Sequence, residues 1–67
     1  MLELTSREYQ VLTLVSKGKQ NKEVAKVLKI SECTVERHLT RIYRKIGVTN
    51  RTEASLWYVG KSTIDGQ

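Results

Sequence analysis

Between Ser31 and Gly47, the apolar residues Val35, Leu39, Ile42 and Ile46 recur at spacings of four, three and four. That rhythm follows the 3.6-residue repeat of an α-helix with one apolar side, and a strand, whose period is two, does not produce it. Ser31 is a favoured N-cap residue, and Gly47 suits the position just past a helix end. The pattern therefore predicts a helix over 31–46. Its other sides carry Glu36, Arg37, His38, Thr40, Arg41, Arg44 and Lys45. A helix of this kind must lay its stripe on a core that the rest of the chain supplies.

Similar punctuation marks three more helices, and the chain has no proline to interrupt them. Thr5 and Glu8 form a capping box ahead of a helix over 6–17, in which Val11, Leu12 and Val15 make the apolar stripe and Gly18 the C-terminal cap. A second helix spans 21–28, capped by Gln20 with Glu23 or by Asn21, the latter favoured by propensity. Val24, Ala25 and Leu28 form its inner side. Lys29, Ile30 and Ser31 then separate it from the next helix, a length that suits the tight turn of a helix-turn-helix. Asn50 and Glu53 open a fourth helix that runs to 59, where Gly60 ends it and the polar 61–67 frays. The reading is an all-α, four-helix domain containing a helix-turn-helix. It is a single domain over 1–67 with an ordered core over 4–60. Leu12, Val24, Ala25, Leu28, Val35, Leu39, Ile42 and Trp57 are expected to be buried together.

The net charge is +5, which favours a polyanionic partner. The cations fall in two blocks. Lys17, Lys19, Lys22, Lys26 and Lys29 surround the second helix, and Arg37, Arg41, Arg44, Lys45 and Arg51 lie on or after the third. In a helix-turn-helix the first of these helices crosses the phosphate backbone and the second enters the major groove. The blocks are thus basic where that geometry needs cations, although a solvated face on an ordinary bundle would read the same way. Apolar residues make up 39% of the chain, with no run long enough to span a bilayer. The start of the chain lacks the regions of a signal peptide. One cysteine makes no internal disulfide and fits a reducing compartment.

Taken in order, the motifs resemble one family. Leu4-Thr5-Ser6-Arg7-Glu8 before Val11-Leu12, then Asn21-Lys22-Glu23-Val24-Ala25, Ile30-Ser31, Thr34-Val35, His38-Leu39, Lys45-Ile46-Gly47-Val48 and Asn50-Arg51-Thr52-Glu53-Ala54 are similar to LuxR-type helix-turn-helix domains of bacterial transcription regulators. The resemblance covers nearly the whole chain. It implies sequence-specific duplex DNA binding, regulation of transcription by a dimer on a pseudo-palindromic site, and a cytoplasmic, nucleoid-associated place in a bacterium. RNA polymerase is carried as a further candidate partner, and no cofactor, metal or membrane is implied. The family's base-reading positions fall on Glu36, Arg37 and Thr40. An arginine can grip guanine O6 and N7, a glutamate can accept from cytosine N4, and a threonine can reach a polar edge or a thymine methyl. Glu36 departs from the cation common at its position; it reads cytosine, lowers affinity near phosphates, or simply pairs with Thr40 or Arg44 on the surface. Phosphate contacts carried over are Asn21, Lys22, Ser31, Thr34, His38, Arg41, Lys45 and Arg51, with a backbone-capping alternative for Thr34. The dimer contacts fall on the fourth helix, where Thr52, Leu56 and Val59 share one side and Ala54, Trp57 and Tyr58 the other. Cys33 stands where the family has lysine, in the first turn of a helix, where a thiol can be activated; a tolerated small side chain is the plainer reading.

An enzyme is not supported. Cys33 and His38 lie about 140° apart around a helix and do not face each other as nucleophile and base must. No phosphate loop or metal-ligand cluster is present in the sequence. A protein-interaction module is the stronger rival, with Trp57 and Tyr58 as anchors, although Trp57 also suits a core position against the first helix. A membrane-surface helix is a third idea, weakened because the third helix has no aromatic anchor beyond Tyr43.

Overall fold

The computed structural model describes residues 3–65, the side chains of 61–65 excepted. Among them are four helices and no strand: α1 Ser6–Ser16, α2 Asn21–Leu28, α3 Glu32–Ile46 and α4 Arg51–Asp65. Each start is built from local chemistry. Thr5 Oγ1 accepts from the Glu8 N–H at 3.2 Å, and Glu8 Oε1 accepts from the Thr5 N–H at 2.9 Å. Two amides that the helix cannot satisfy itself are thereby paired. Ser31 caps α3 by accepting from the Thr34 N–H at 3.1 Å.

Two expectations about boundaries are corrected. Gln20, not Asn21, is the cap of α2; its N–H donates to Glu23 Oε1 at 3.0 Å, and Asn21 is already helical. Gly60 does not end α4, which continues to Asp65. A glycine stops a helix by taking a left-handed conformation, as Gly18 and Gly47 do at φ 88° and 74°; Gly60 does not. Within a helix it costs only about 1 kcal/mol relative to alanine. Of the expected fraying tail, 66–67 lie outside the described residues. At the turn between α2 and α3, Lys29 itself takes the left-handed conformation, φ 58° and ψ 46°.

The core draws on every helix: Val11, Leu12 and Val15 from α1, Val24 and Ala25 from α2, Val35, Leu39 and Ile42 from α3, and Ala54 from α4. α1 packs against each of the other three helices, and α2 lies against α3. Leu28 and Trp57 are half-buried and flank this core instead of sitting inside it. Leu28 is the last residue of α2, where the helix gives it fewer neighbours. Tyr58 packs back on α1: its hydroxyl receives the Thr13 Oγ1 hydrogen bond at 3.0 Å, and its ring meets Tyr9 edge-on with centroids 6.4 Å apart.

Candidate nucleic-acid interface

The burial of Val35, Leu39 and Ile42 fixes which side of α3 faces inward. The helical repeat of about 100° per residue then places Arg37 and Arg44 opposite the core. Cys33, Thr40 and Arg41 flank them, with Glu36 at one border and Thr34, His38 and Lys45 at the other. Burial follows the same geometry. Glu36, Arg37, Thr40, Arg41 and Arg44 are exposed, and Thr34, His38 and Lys45 are half-buried. The three residues expected to read bases therefore share one open face. Among the described residues the one ion pair lies elsewhere, so Glu36, Arg37, Arg41 and Arg44 have no oppositely charged partner. Thr40 does contact Glu36, but through the backbone: its hydroxyl donates to the Glu36 carbonyl at 3.0 Å. The glutamate side chain is left unpaired.

The expected phosphate contacts divide into two groups. Lys22 and Arg41 are exposed. Ser31 and Thr34 are occupied in the cap of α3, their hydroxyls 2.9 Å apart. Asn21 and Arg51 hold each other: Arg51 Nη1 donates to Asn21 Oδ1 at 2.7 Å, and Nη2 bonds the Lys19 carbonyl. This clamp joins the start of α4 to the start of α2. Beside it, burial pushes the Tyr43 hydroxyl up from its ordinary value, partly opposed by the Arg51 charge.

Lys45 makes a contact that sequence reasoning missed. Its ammonium donates to Glu8 Oε1 at 2.7 Å, an ion pair tying the last turn of α3 to the first turn of α1. Glu8 is only 2% exposed. Burial alone would raise its carboxyl; the Lys45 and Thr5 hydrogen bonds and the Lys45 charge outweigh that and hold it below its ordinary value. A signal was present in the sequence. Glu8 lies on the same helical stripe as Val11, Leu12 and Val15, and a carboxylate on a buried stripe needs a cation.

Residues 2–58 match the profile described as "Bacterial regulatory proteins, luxR family". The chain belongs to the LuxR family. Three curated relatives have names that describe transcriptional regulators. The uncharacterized transcriptional regulatory protein YhcZ of Bacillus subtilis is 45% identical over 65 residues, 97% of this chain and 30% of that protein. The transcriptional regulatory protein LiaR of B. subtilis is 43% identical over 54 residues, 81% of this chain and 26% of that protein. The CsgBAC operon transcriptional regulatory protein of Escherichia coli is 46% identical over 54 residues, 81% of this chain and 25% of that protein. The chain thus spans less than a third of each relative's length. Among solved structures, the DNA-binding domain of the response regulator ComA, crystallised with the anti-activator RapF, superposes with a TM-score of 0.78 at 44% identity. That match covers 81% of this chain and 93% of the other.

On α4 of this LuxR-family domain, Ala54 is fully buried, whereas Leu56 is 66% and Val59 49% exposed, with Thr52 exposed beside them. The helix has an inner side and a separate, small apolar strip facing outward. Among the described residues no group of three or more potential metal ligands clusters, and no helix is long and apolar enough to cross a membrane.

Proposed function

We propose that this domain binds duplex DNA sequence-specifically, with α3 in the major groove, and that it regulates bacterial transcription as a dimer. The carrying observation is the outer face of α3. Arg37 and Arg44 stand directly opposite the buried stripe with Arg41 beside them, all three exposed and without an ion-pair partner among the described residues. A face that convex and that basic suits a groove lined by phosphates. Glu36, Arg37 and Thr40 are assigned to base edges. Lys22 and Arg41 are assigned to phosphates, with Ser31, Thr34 and His38 beside them. Asn21, Lys45 and Arg51 complete that set: Lys45 is bonded once and Arg51 through two of its five N–H groups, and Asn21 is engaged through its amide oxygen, so each still has donors to give. No step of this function needs a catalytic group or a cofactor, and it belongs in the bacterial cytoplasm, at the nucleoid.

Thr52, Leu56 and Val59 are the proposed dimer contacts. One helix crossing its own copy satisfies the self-complementarity of a two-fold interface. The strip is far smaller than the ~1,600 Å² of a stable complex, so pairing is weak in solution and strong on DNA carrying two half-sites about one helical turn apart.

A protein contact is a second role for the same domain, favoured by a shallow groove of about 350 Å³ between α1 and α2, lined by Tyr9, Gln10, Thr13, Leu14, Val27 and Leu28. Val27 is 59% exposed there. The ComA domain is named in complex with an anti-activator, and RNA polymerase is the other candidate occupant.

Salt separates DNA binding from an apolar interface. Each phosphate neutralised should steepen log affinity against log salt by about 0.9. A selected duplex should show a steep slope and bind more tightly than scrambled sequence. A flat response, or equal affinity for every sequence, overturns it.

A further inference from the structure

Threonine is an ambiguous reader, because its hydroxyl can donate or accept and its methyl can pack. The conformation of Thr40 removes most of that ambiguity. Its hydroxyl proton is already committed to the Glu36 carbonyl one turn back, at 3.0 Å. It therefore has nothing to donate to guanine O6 or N7, adenine N7 or thymine O4. The side chain is exposed on the open face of α3, beside Arg37 and Arg44. With the hydroxyl proton bonded back to the helix, the methyl is the group of this exposed side chain left free of a hydrogen-bonding role.

We infer that Thr40 specifies a thymine in each half-site by packing its methyl on the thymine C5-methyl. This rests on the reading of α3 as the groove helix. Thr40 follows Glu36 by four residues, about 6 Å along the axis, close to two base steps of about 3.4 Å. The thymine accordingly lies within about two base pairs of the pair that Glu36 faces.

Deoxyuridine, which is thymine without the C5-methyl, provides the test. A half-site is first selected from random duplexes with the 67-residue chain. Each thymine in it is then replaced singly by deoxyuridine, and affinity is measured for the parent, Thr40→Ser and Thr40→Val. For the parent, one position per half-site should lose about fourfold, the amount a buried methylene-sized group is worth. Thr40→Ser keeps the hydroxyl and loses the methyl, so it should be indifferent to that replacement. Thr40→Val loses the hydroxyl and keeps a methyl, so it should retain the sensitivity. The nominally conservative change is thus the damaging one. The inference is overturned if no thymine responds in the parent, which would show that no thymine methyl is read, or if Thr40→Ser responds as the parent does, which would show that another residue packs on that methyl. Arg37→Ala, run in parallel, keeps the two readings apart. If it too leaves every base preference unchanged, the placement of α3 in the groove is what fails.

Discussion

Removing the cation beside Glu8 should destabilise the domain at neutral pH and hardly at all in acid. Lys45→Met keeps the length and apolar stem of the side chain and deletes the charge that meets a carboxylate 2% exposed. Stripping a partner from a fully buried ion pair costs about 3–5 kcal/mol. Two features reduce that here: the Lys45 side chain is 23% exposed, and Glu8 keeps the Thr5 N–H. A cost of about 1–3 kcal/mol remains, which for a domain this size lowers the melting midpoint by roughly 4–8 °C per kcal/mol. The pH dependence follows from the direction of the shift. The folded Glu8 carboxyl titrates below its ordinary value of 4.5. Its contribution is therefore complete above about 4.5, where the unfolded chain is ionised too, and is lost as pH falls through the lower folded value. Once Glu8 is protonated, parent and variant lack the same interaction. Urea unfolding of both at pH 7 and at successively lower pH should show the gap narrowing below 4.5. Adding Glu8→Gln to Lys45→Met should cost less than the sum of the single changes. A gap independent of pH, or additive costs, would refute the claim that this ion pair holds α3 to α1.

Other outcomes follow from the same packing. Lys29→Gly should raise stability by about 0.5–1 kcal/mol, because a non-glycine residue at φ 58° carries left-handed strain that glycine relieves; a lower melting midpoint would contradict this. Leu39→Ala, at a core position 5% exposed, should cost roughly 2–5 kcal/mol, and an unchanged cooperative melt would show that α3 is not seated by this stripe. Leu56→Glu, at a site 66% exposed, should leave the melt nearly intact but abolish cooperative occupation of a duplex with two half-sites; retained cooperativity would remove α4 from the dimer interface.

The helices were legible because their signals are local. The stripe of Val35, Leu39 and Ile42, the Thr5–Glu8 capping box and the left-handed glycines at 18 and 47 each depend on residues within a turn or two. The errors came where two local solutions compete or where context decides. Gln20 and Asn21 both suit a cap, and Asn21 is instead taken by Arg51 from the distant start of α4. At Asn50 the capping signature was right in part. Asn50 Oδ1 does accept from the Glu53 N–H, but Glu53 reaches back to the Thr49 N–H and hydroxyl, one residue earlier than a capping box requires. Those two bonds hold the Glu53 carboxyl below its ordinary value. Gly60 carries no instruction on its own, since only its φ distinguishes a cap from a helix interior. On the interface, the exposure of Glu36, Arg37 and Thr40 was readable from the stripe opposite them. The commitments of Lys45 and Arg51 were not, because their partners lie on helices far away in sequence.

We propose above all that the outer face of α3 reads bases, with Arg37 at its middle. Site selection from random duplex DNA, carried out side by side with the parent and Arg37→Ala, tests it most directly. The parent should enrich a half-site containing a guanine that Arg37 grips through O6 and N7. Arg37→Ala should lose preference at that one base pair, keep it at the others, and bind the parent's best site more weakly by about 1–3 kcal/mol. If Arg37→Ala enriches the same half-site with the same preference at every position, α3 does not read DNA through this face.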